Sequence, residues 1–582
     1  MRSLSSLNKY FLRYKKKIFF GFLFILVSNI TGVYIPLFLR SVIDGLSENI
    51  SIESILNYAA LILVFAVVSG FFRFLIRQTI IVVSREIEYD LRHDFWAHIQ
   101  KLPLRYFQNN STGNIMAHAT NDINAVRMYV GPAVMYSLDT VITMVIVIGI
   151  IISISPMLTL YTLIPLPLLS YFVYKLSAKI HKKFTRIQEK FSELTAKAQE
   201  NFSGIRVIKS YVRENNQIET FTDLSREYLD RNMDKVRIQA LFQPIMFMII
   251  GLSIIILVLA GGAMVISREL TLGDITAFMV FLGYLIWPMI AFGWVMNIIQ
   301  QADASMKRIN TIFSEDEEIK DSEKTRFSIN SIKGGIKFEN VSFKYKEDLP
   351  YVFQNVNIDI PNGSTIAIIG QTGAGKTTLI NTIPRLYDVF EGKVKIDGID
   401  VKEIPLKVLR QSIGLVSQET FLFSDTLENN LLYGVKERSH ELVEKVAAIS
   451  KLNRDVEEFP AKYETVLGER GITLSGGQKQ RACLARALAV DPKILILDDS
   501  FSAVDTNTEE EILTNLKEFM KGRTSIIISH RISTVKNADK IYVLYEGKVA
   551  EEGTHDELIE LNGIYADLHY KQLLEEELKE MS

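Results

Sequence analysis

The first half of the chain is built from long apolar runs and the second half from short ones. Six segments, roughly 18–39, 55–82, 130–154, 157–175, 241–266 and 274–299, are predominantly apolar. Each is long enough to cross ~30 Å of hydrocarbon, which takes ~20 helical residues. The pattern therefore predicts six membrane-spanning helices. Pro36, Pro165, Pro167, Pro244 and Pro288 fall in or beside them, which a helical bundle tolerates because neighbouring groups satisfy the freed backbone.

The polar links between these runs are of two kinds. The link after the first span holds Arg40 as its base, the link after the third is little more than Ser155-Pro156, and the link after the fifth holds Arg268. By contrast, 83–129 and 176–240 are long and rich in Lys and Arg. The positive-inside rule puts both long links and the N-terminus in the cytoplasm. Arg85–Leu102 and Ile180–Tyr211 keep a helical period with charged faces, so spans two to five are expected to continue as helices beyond the membrane. Turns are predicted at Asn109-Asn110-Ser111-Thr112-Gly113 and around Gly204.

From Gln301 to about Ser331 the chain turns polar, with the acidic run Glu315-Asp316-Glu317-Glu318. From Lys337 onward, short β-rich runs alternate with helical ones, as in an α/β domain. The expected division is a helical membrane domain over 1–310, a linker over 311–335 and an α/β domain over 336–582.

Composition sharpens this picture at three points. Of 582 residues 48% are apolar, and the excess lies in the first half. Lys9, Arg13, Lys15, Lys16 and Lys17 precede the first run and could suggest a signal peptide. The run Ile18–Leu39 is too long for one and has no small-residue cleavage site, so it reads as a retained helix. The net charge of −2 gives no argument for a nucleic-acid partner. The single cysteine, Cys483, excludes an intramolecular disulfide and a Cys-rich metal site, and reads as a small buried apolar residue.

The chemistry sits in the second half. Gly370-Gln371-Thr372-Gly373-Ala374-Gly375-Lys376-Thr377 matches the phosphate-binding P-loop. It follows the strand Thr365–Ile369 and opens a helix at Thr378. Its glycines let backbone N–H groups wrap phosphates at a helix N-terminus. Lys376 is expected on the β- and γ-phosphates and Thr377 on Mg²⁺. Ile494–Leu497 is an apolar run ending in Asp498, and a buried strand of that kind delivers its carboxylate near the same ion. Between them Leu474-Ser475-Gly476-Gly477-Gln478 opens a helix, which reads either as a second anion-binding turn or as an ordinary helix cap.

These three motifs, in this order and behind six spans, resemble the ATP-binding cassette (ABC) transporters, and the resemblance covers nearly the whole chain. It implies an exporter-type half-transporter: an all-α six-helix transmembrane bundle fused to an α/β P-loop NTPase domain, using ATP and Mg²⁺. It further implies that Tyr345 stacks on adenine, that Gly370 through Thr378 bind nucleotide, and that Gln418 senses Mg²⁺ beside Thr377 and Asp498. Ser475, Gly476, Gly477 and Gln478 would close on the ATP held by a second subunit. Gly468-Glu469-Arg470-Gly471 would face the other subunit's helices, Ser502-Ala503-Val504-Asp505 would cross the dimer interface, and His530 would hold the γ-phosphate.

One position departs from that pattern. The family usually places Glu after the strand carboxylate, to polarise the attacking water, and here the residue is Asp499. Its side chain is shorter by about one C–C bond, ~1.5 Å, and a misplacement of ~1 Å at a reacting centre can cost ~10²-fold. The expectation is a slow ATP site on this chain and an intact signature serving a partner, as in an asymmetric heterodimer. Alternatives are a homodimeric lipid or drug exporter and an ATP-gated channel or regulatory subunit. Six spans argue against a soluble cassette protein acting on DNA or ribosomes. Within the spans Arg73 and Arg77 share a helix face and Asp139 lies in the third span. They read as a salt bridge, as cavity-facing groups, or as contacts to an anionic or amphipathic substrate. Drugs, lipids, peptides and siderophores all remain open as cargo.

Overall fold

The computed structural model describes residues 3–580 apart from 49, 469, 470, 472 and 473. At 166, 169, 170, 173, 174, 177, 178, 181 and 575–580 it describes the backbone alone. The chain forms two compact units, Met1–Gln100 with Thr112–Glu315, and Lys101–Ser111 with Asp316–Ser582.

The first unit is helical throughout. Among the described residues five helical runs are long and apolar enough to cross a membrane: Lys15–Ser47, Ile52–Ile99, Thr112–Ile154, Glu214–Ile266 and Leu272–Phe313. The second holds 48 residues, about 70 Å at 1.5 Å per residue. That is more than twice the hydrocarbon thickness, so it extends well outside any bilayer that it spans. The fourth expected span, 157–175, is divided between helices Pro156–Leu163 and Pro165–Ser203. Ile164 between them keeps helical angles (φ −50°, ψ −43°). Pro165 and Pro167 remove two backbone donors there, so the hydrogen-bond ladder breaks while the backbone stays helical.

Both expected turns are present. Between the second and third runs the chain makes the short helix Leu104–Asn109 and restarts at Thr112. Gly204 closes Pro165–Ser203, donating to the Glu200 carbonyl at 2.8 Å. The helix Glu214–Ala240 then returns along Pro165–Ser203, with rungs Lys183–Asp234 at 2.6 Å and Lys190–Glu227 at 2.8 Å. Seven-residue steps on both helices are two turns each, the signature of antiparallel packing.

A second ladder explains much of the basic N-terminus. Lys9 pairs with Asp94, Arg13 with Asp90 and Lys17 with Glu86, at 3.0, 3.0 and 2.5 Å. Tyr10 and Tyr14 donate to the same two aspartates, at 2.7 and 3.0 Å. Four-residue steps bring each rung one turn on from the last.

Within the bundle, small residues let helices approach closely. A Cβ on Gly131 would lie 2.6 Å from Ser84 Oγ, and one on Gly21 would lie 2.5 Å from the Ile80 side chain. Three wide π-helical turns, Arg77–Ile81, His118–Asp122 and Tyr129–Ala133, occur in the second and third runs. Asp122, 6% exposed, ties the third run to the last. It accepts from Ser305 Oγ at 2.8 Å, from both Arg308 Nε (2.9 Å) and Nη2, and from His118 Nδ1 at 2.6 Å.

The second unit holds two sheets. Strands β1 (Ile336–Phe343), β2 (Phe353–Ile360), β4 (Glu391–Ile396) and β5 (Ile399–Asp400) form an antiparallel sheet in the order β2-β1-β4-β5. The other sheet has the order β10-β9-β3-β8-β7-β6 and uses β3 (Thr365–Gly370), β6 (Ile413–Val416), β7 (Ile494–Asp498), β8 (Thr524–Ile528), β9 (Lys540–Tyr545) and β10 (Lys548–Gly553). Its first five strands from β6 to β9 are parallel, and β10 closes the edge antiparallel. Strands β7 and β8 are buried at every residue, as expected of parallel strands covered on both faces. The acidic run of the linker also finds its role in this unit: Lys101 pairs with Glu317 at 3.4 Å and Arg105 with Glu318, which holds the segment Leu104–Asn109 to it.

Burial pushes the Asp122 carboxyl up, but the donations from Arg308, His118 and Ser305 outweigh it and hold the group below its ordinary value of 3.8. A depressed carboxyl stabilises the folded state above the ordinary value and stops doing so as pH falls through the lower, folded one. Asp122→Ala is therefore expected to cost about 2 kcal/mol, read as a lower melting temperature in detergent. The gap from wild type should stay open at neutral pH and close below about pH 4. Lys190→Ala, on an exposed rung, is expected to cost no more than about 0.5 kcal/mol.

Candidate active site

Strand order decides what meets at the C-terminal edge of the six-stranded sheet. Strand β8 lies between β3 and β7, in register with both: Ile368 opposes Ile528, and Ile528 opposes Asp498. The three strands deliver Gly370, Ser529-His530 and Asp498-Asp499 to one edge, where ligands of such sheets bind.

The loop after β3 is shaped by glycine. Gly373 and Gly375 take φ of +86° and +92°, values that cost a residue with a Cβ. Gly370 is needed for a different reason, since a Cβ there would lie 2.2 Å from the Leu544 carbonyl oxygen on β9. Gln371 and Thr372 are exposed, and Ala374 is buried with its N–H on the Gln371 carbonyl at 3.2 Å. Lys376 is 7% exposed and donates to the carbonyls of Gly370 and Gln371 at 2.8 and 2.9 Å. Burial pulls the Lys376 ammonium down, and the charges of Asp498 and Asp499 oppose that pull only in part.

Thr377 Oγ1 donates to Asp498 Oδ2 at 2.8 Å. Asp498 is 2% exposed. Burial pushes its carboxyl up, against the Thr377 hydrogen bond and the Lys376 charge. Gln418 is exposed two residues beyond β6, the strand paired with β7, and so stands at the same edge as Asp498. Among the described residues no group of three or more His, Cys, Asp or Glu could hold a metal ion. The site offers one hydroxyl and one carboxylate, which fits Mg²⁺, an ion commonly held by one or two carboxylates together with substrate phosphates and water.

Tyr345 reaches the same loop. Its hydroxyl lies 2.8 Å from Thr378 Oγ1, and its ring meets Phe343 and Tyr387 edge-on at 5.0 and 5.6 Å. His530 is exposed at its place beyond β8. Partial desolvation of the ring, open to solvent on one side, and the Lys376 charge hold its imidazole below the ordinary value, with Asp499 opposing, so the neutral ring is favoured near neutral pH.

Asp499 has a left-handed backbone, φ +48°. Its N–H donates to the Ile528 carbonyl at 2.9 Å, and its own carbonyl accepts from Ser502 Oγ at 3.2 Å. Asp adopts such angles more readily than most residues.

The Ser475–Gln478 turn is a closed cap. Ser475 Oγ accepts from the Gln478 N–H at 3.3 Å and Gln478 Oε1 accepts from the Ser475 N–H at 2.9 Å, a capping box on helix Gly476–Ala489. Gly477 is required because a Cβ would lie 2.9 Å from the Ala503 carbonyl oxygen. Among the described residues no hydrogen bond joins this turn to the P-loop. Asp505 caps the helix Thr506–Met520 through Thr508 N–H at 2.9 Å. Glu469 and Arg470 lie outside the described residues.

Three residues that sequence reading passed over support this edge. Gln480, 5% exposed, donates to Ser502 Oγ at 2.9 Å and accepts from Ala503 N–H at 2.9 Å. It ties the signature helix to the segment that follows Asp499. Glu509, 2% exposed, accepts from Thr534 Oγ1 at 2.5 Å and from Arg531 Nη1. Gln572, on the C-terminal helix Ile564–Glu580, donates to the His530 carbonyl and accepts from Ile532 N–H at 2.9 Å. Glu509 left a trace in the sequence, since it shares the buried stripe of Ile512 and Leu516.

Two family patterns match the sequence, one described as "ABC transporter transmembrane region" over residues 18–289 and one as "ABC transporter" over residues 353–502. The chain is 35% identical over 575 residues to the "Probable multidrug resistance ABC transporter ATP-binding/permease protein YheI" of Bacillus subtilis, covering 98% of each chain. It is also 35% identical over 523 residues to the "ATP-dependent lipid A-core flippase" of Syntrophus aciditrophicus, covering 90% of this chain and 86% of the relative. A solved structure of a bacterial Atm1-family ABC exporter with ATP bound superimposes with a TM-score of 0.78 at 25% identity, over 96% of this chain and 98% of the other.

The loop geometry separates two kinds of glycine. Gly373→Ala meets no atom within 4 Å and is expected to cost about 1 kcal/mol from backbone strain alone. Gly370→Ala drives a methyl into the Leu544 carbonyl and is expected to cost at least about 2–3 kcal/mol. Melting temperatures of the nucleotide-free variants check the order, and equal losses would contradict it.

Proposed function

The chain belongs to the ABC transporter family, and on that premise we propose that it is one half of an ATP-driven exporter or flippase for hydrophobic or amphipathic molecules. Its ATPase unit hydrolyses ATP in coupling to transport. The observation that carries the half-transporter reading is the separation of the two ATP-binding motifs. Lys376, Thr377, Asp498, Gln418 and His530 lie along one sheet edge, while among the described residues the Ser475–Gln478 cap makes no hydrogen bond to the P-loop. A second subunit placed head to tail brings its own cap to this P-loop and receives this chain's cap on its own.

Each residue then has a task set by its chemistry. The backbone N–H groups of Gly370–Gly375 and the Lys376 ammonium neutralise the phosphates, and Tyr345 packs on the adenine. Thr377, Asp498 and Gln418 would hold Mg²⁺, which would supply charge neutralisation to the phosphates. His530, favoured as the neutral imidazole, donates a hydrogen bond to the γ-phosphate. Contacts to the γ-phosphate from both subunits bias a two-state assembly towards closure, and hydrolysis removes that bias. The unit binding ATP and the N-terminus lie in the cytoplasm by the positive-inside rule, and the bacterial relatives favour a plasma membrane.

Asp499 makes this chain's own site the slow one. A shorter carboxylate reaches the water only if the backbone moves towards it. That backbone is held on one side by the Ile528 carbonyl and on the other by Ser502. The partner is therefore a different chain that supplies the usual Glu, and this chain's intact cap completes the partner's working site.

The test is the ATPase rate of the purified chain alone in lipid, beside Asp499→Glu, with Lys376→Ala as the inactive control. The wild-type chain is expected to turn over slowly and Asp499→Glu about 10-fold or more faster, within the ~10²-fold range for ~1 Å of misplacement. Brisk turnover by the wild-type chain, unchanged in Asp499→Glu, sinks the asymmetric reading and leaves a homodimeric exporter. ATP-dependent uptake into inverted vesicles separates a transporter from a channel.

A further inference from the structure

The membrane unit contains a cavity of about 540 Å³ walled by the first, second, third and last helical runs. That volume is in the range of small-molecule sites, and its lining is unusual for the middle of a bundle. Arg73 and Arg77 both border it. Both are exposed, and among the described residues neither makes an ion pair or a side-chain hydrogen bond. A guanidinium is always charged and offers only donors, and a charge at membrane depth ordinarily has a partner or faces water.

The cavity does not supply that partner. Its one carboxylate, Asp139, accepts from Asn29 Nδ2 at 3.0 Å and pairs with neither arginine. The lining therefore holds two cations and one anion. Thr140 Oγ1, also on the wall, is buried without a hydrogen-bond partner. The same lining includes the rings of Tyr136, Tyr284 and Trp287, with Tyr136 and Trp287 edge-to-face at 6.3 Å. Arg77 also begins the π-helical turn Arg77–Ile81, a distortion often found at functional sites.

We infer that this cavity binds an amphipathic anion, its phosphate or carboxylate head on Arg73 and Arg77 and its apolar body against Tyr136, Tyr284 and Trp287. An acceptor-rich head supplies the negative charge that the wall lacks, and guanidinium forks match oxyanions better than any other side chain. The inference rests on the export reading and names the class of cargo. The head belongs either to a membrane lipid or to a free amphiphile, and the chemistry is common to both.

The test uses the full chain in nanodiscs of phosphatidylcholine, without ATP. Radiolabelled dodecyl phosphate is expected to bind saturably, and dodecyltrimethylammonium, its cationic counterpart, is not. The double variant Arg73→Gln/Arg77→Gln should weaken binding by about tenfold or more, the loss of one or two charge-assisted hydrogen bonds. The double variant Arg73→Lys/Arg77→Lys should recover part of it, and Asp139→Asn should tighten it. Phosphatidylglycerol in the nanodisc competes the probe away if a lipid head is the occupant and leaves it bound if the occupant is a free amphiphile. Equal binding of the cation and the anion overturns the proposal, as does unchanged binding in a folded double Gln variant. If that variant does not fold, Asp139→Asn decides, and binding no tighter than wild type overturns it. An Asp499→Glu chain that binds dodecyl phosphate and hydrolyses ATP but fails to carry the probe into vesicles refutes export and leaves the site standing. Transport of a neutral amphiphile, with binding of dodecyl phosphate indifferent to the arginines, does the reverse.

Discussion

Everything at the ATP edge depends on one strand that is buried along its whole length. Strand β7 can sit between β6 and β8 only because both of its faces are apolar from Ile494 to Leu497. That burial leaves its last residue as the one place for a polar group. Asp498 sits there at 2% exposure with a hydrogen bond from Thr377 as compensation. A buried carboxylate without such a donor, or without a cation, is costly. The same pairing sets the backbone of Asp499, whose N–H continues the ladder to Ile528. The strand that makes the buried carboxylate of Asp498 possible is thus also what limits how far its neighbour can move.

The membrane unit obeys a different constraint. In hydrocarbon each backbone group must be satisfied within its own segment, so spans are helices. A helix that leaves the membrane has no such obligation, and yet these runs stay helical for tens of residues more. What supports them outside is charge at helical spacing. Lys9, Arg13 and Lys17 face Asp94, Asp90 and Glu86, and Lys183 and Lys190 face Asp234 and Glu227. Each exposed rung contributes little. Their regular steps select one register of packing over its neighbours, which matters more for a long helix than the energy of any one pair.

The sequence disclosed the parts whose signal is local. A P-loop carries its own strand, glycines and helix start, and an apolar run of span length needs no partner to be recognised. The capping box at Ser475 and Gln478 is a four-residue pattern, and it was read as one of two possibilities. What stayed hidden was tertiary. Gln480, Glu509 and Gln572 act through groups 22 to 42 residues away, and no spacing announces such pairs. Pro165 and Pro167 were visible, but periodicity says nothing of how far two lost donors break a helix that keeps its angles. The left-handed backbone of Asp499 was hidden as well, because its cause is the carbonyl of another strand. Arg73 and Arg77 were visible as charges in a span, whereas the absence of a partner for them is a property of the bundle.

The segment Lys101–Ser111 belongs to the second unit although it lies between two stretches of the first. It packs with the ATPase unit, through Arg105 on Glu318 and Lys101 on Glu317. In the chain it lies between the helical runs Ile52–Ile99 and Thr112–Ile154 of the other unit. Any displacement of the ATPase unit that carries this segment along pulls on both runs at once, through covalent bonds at either end. Those runs carry Arg73, Arg77 and Asp139 on the cavity wall and three π-helical turns. A rigid helix transmits such a pull along its axis with little loss, and a π-turn, with its irregular hydrogen-bond ladder, is a place where it can be taken up as rotation. In the second run the π-turn begins at Arg77, on the cavity wall.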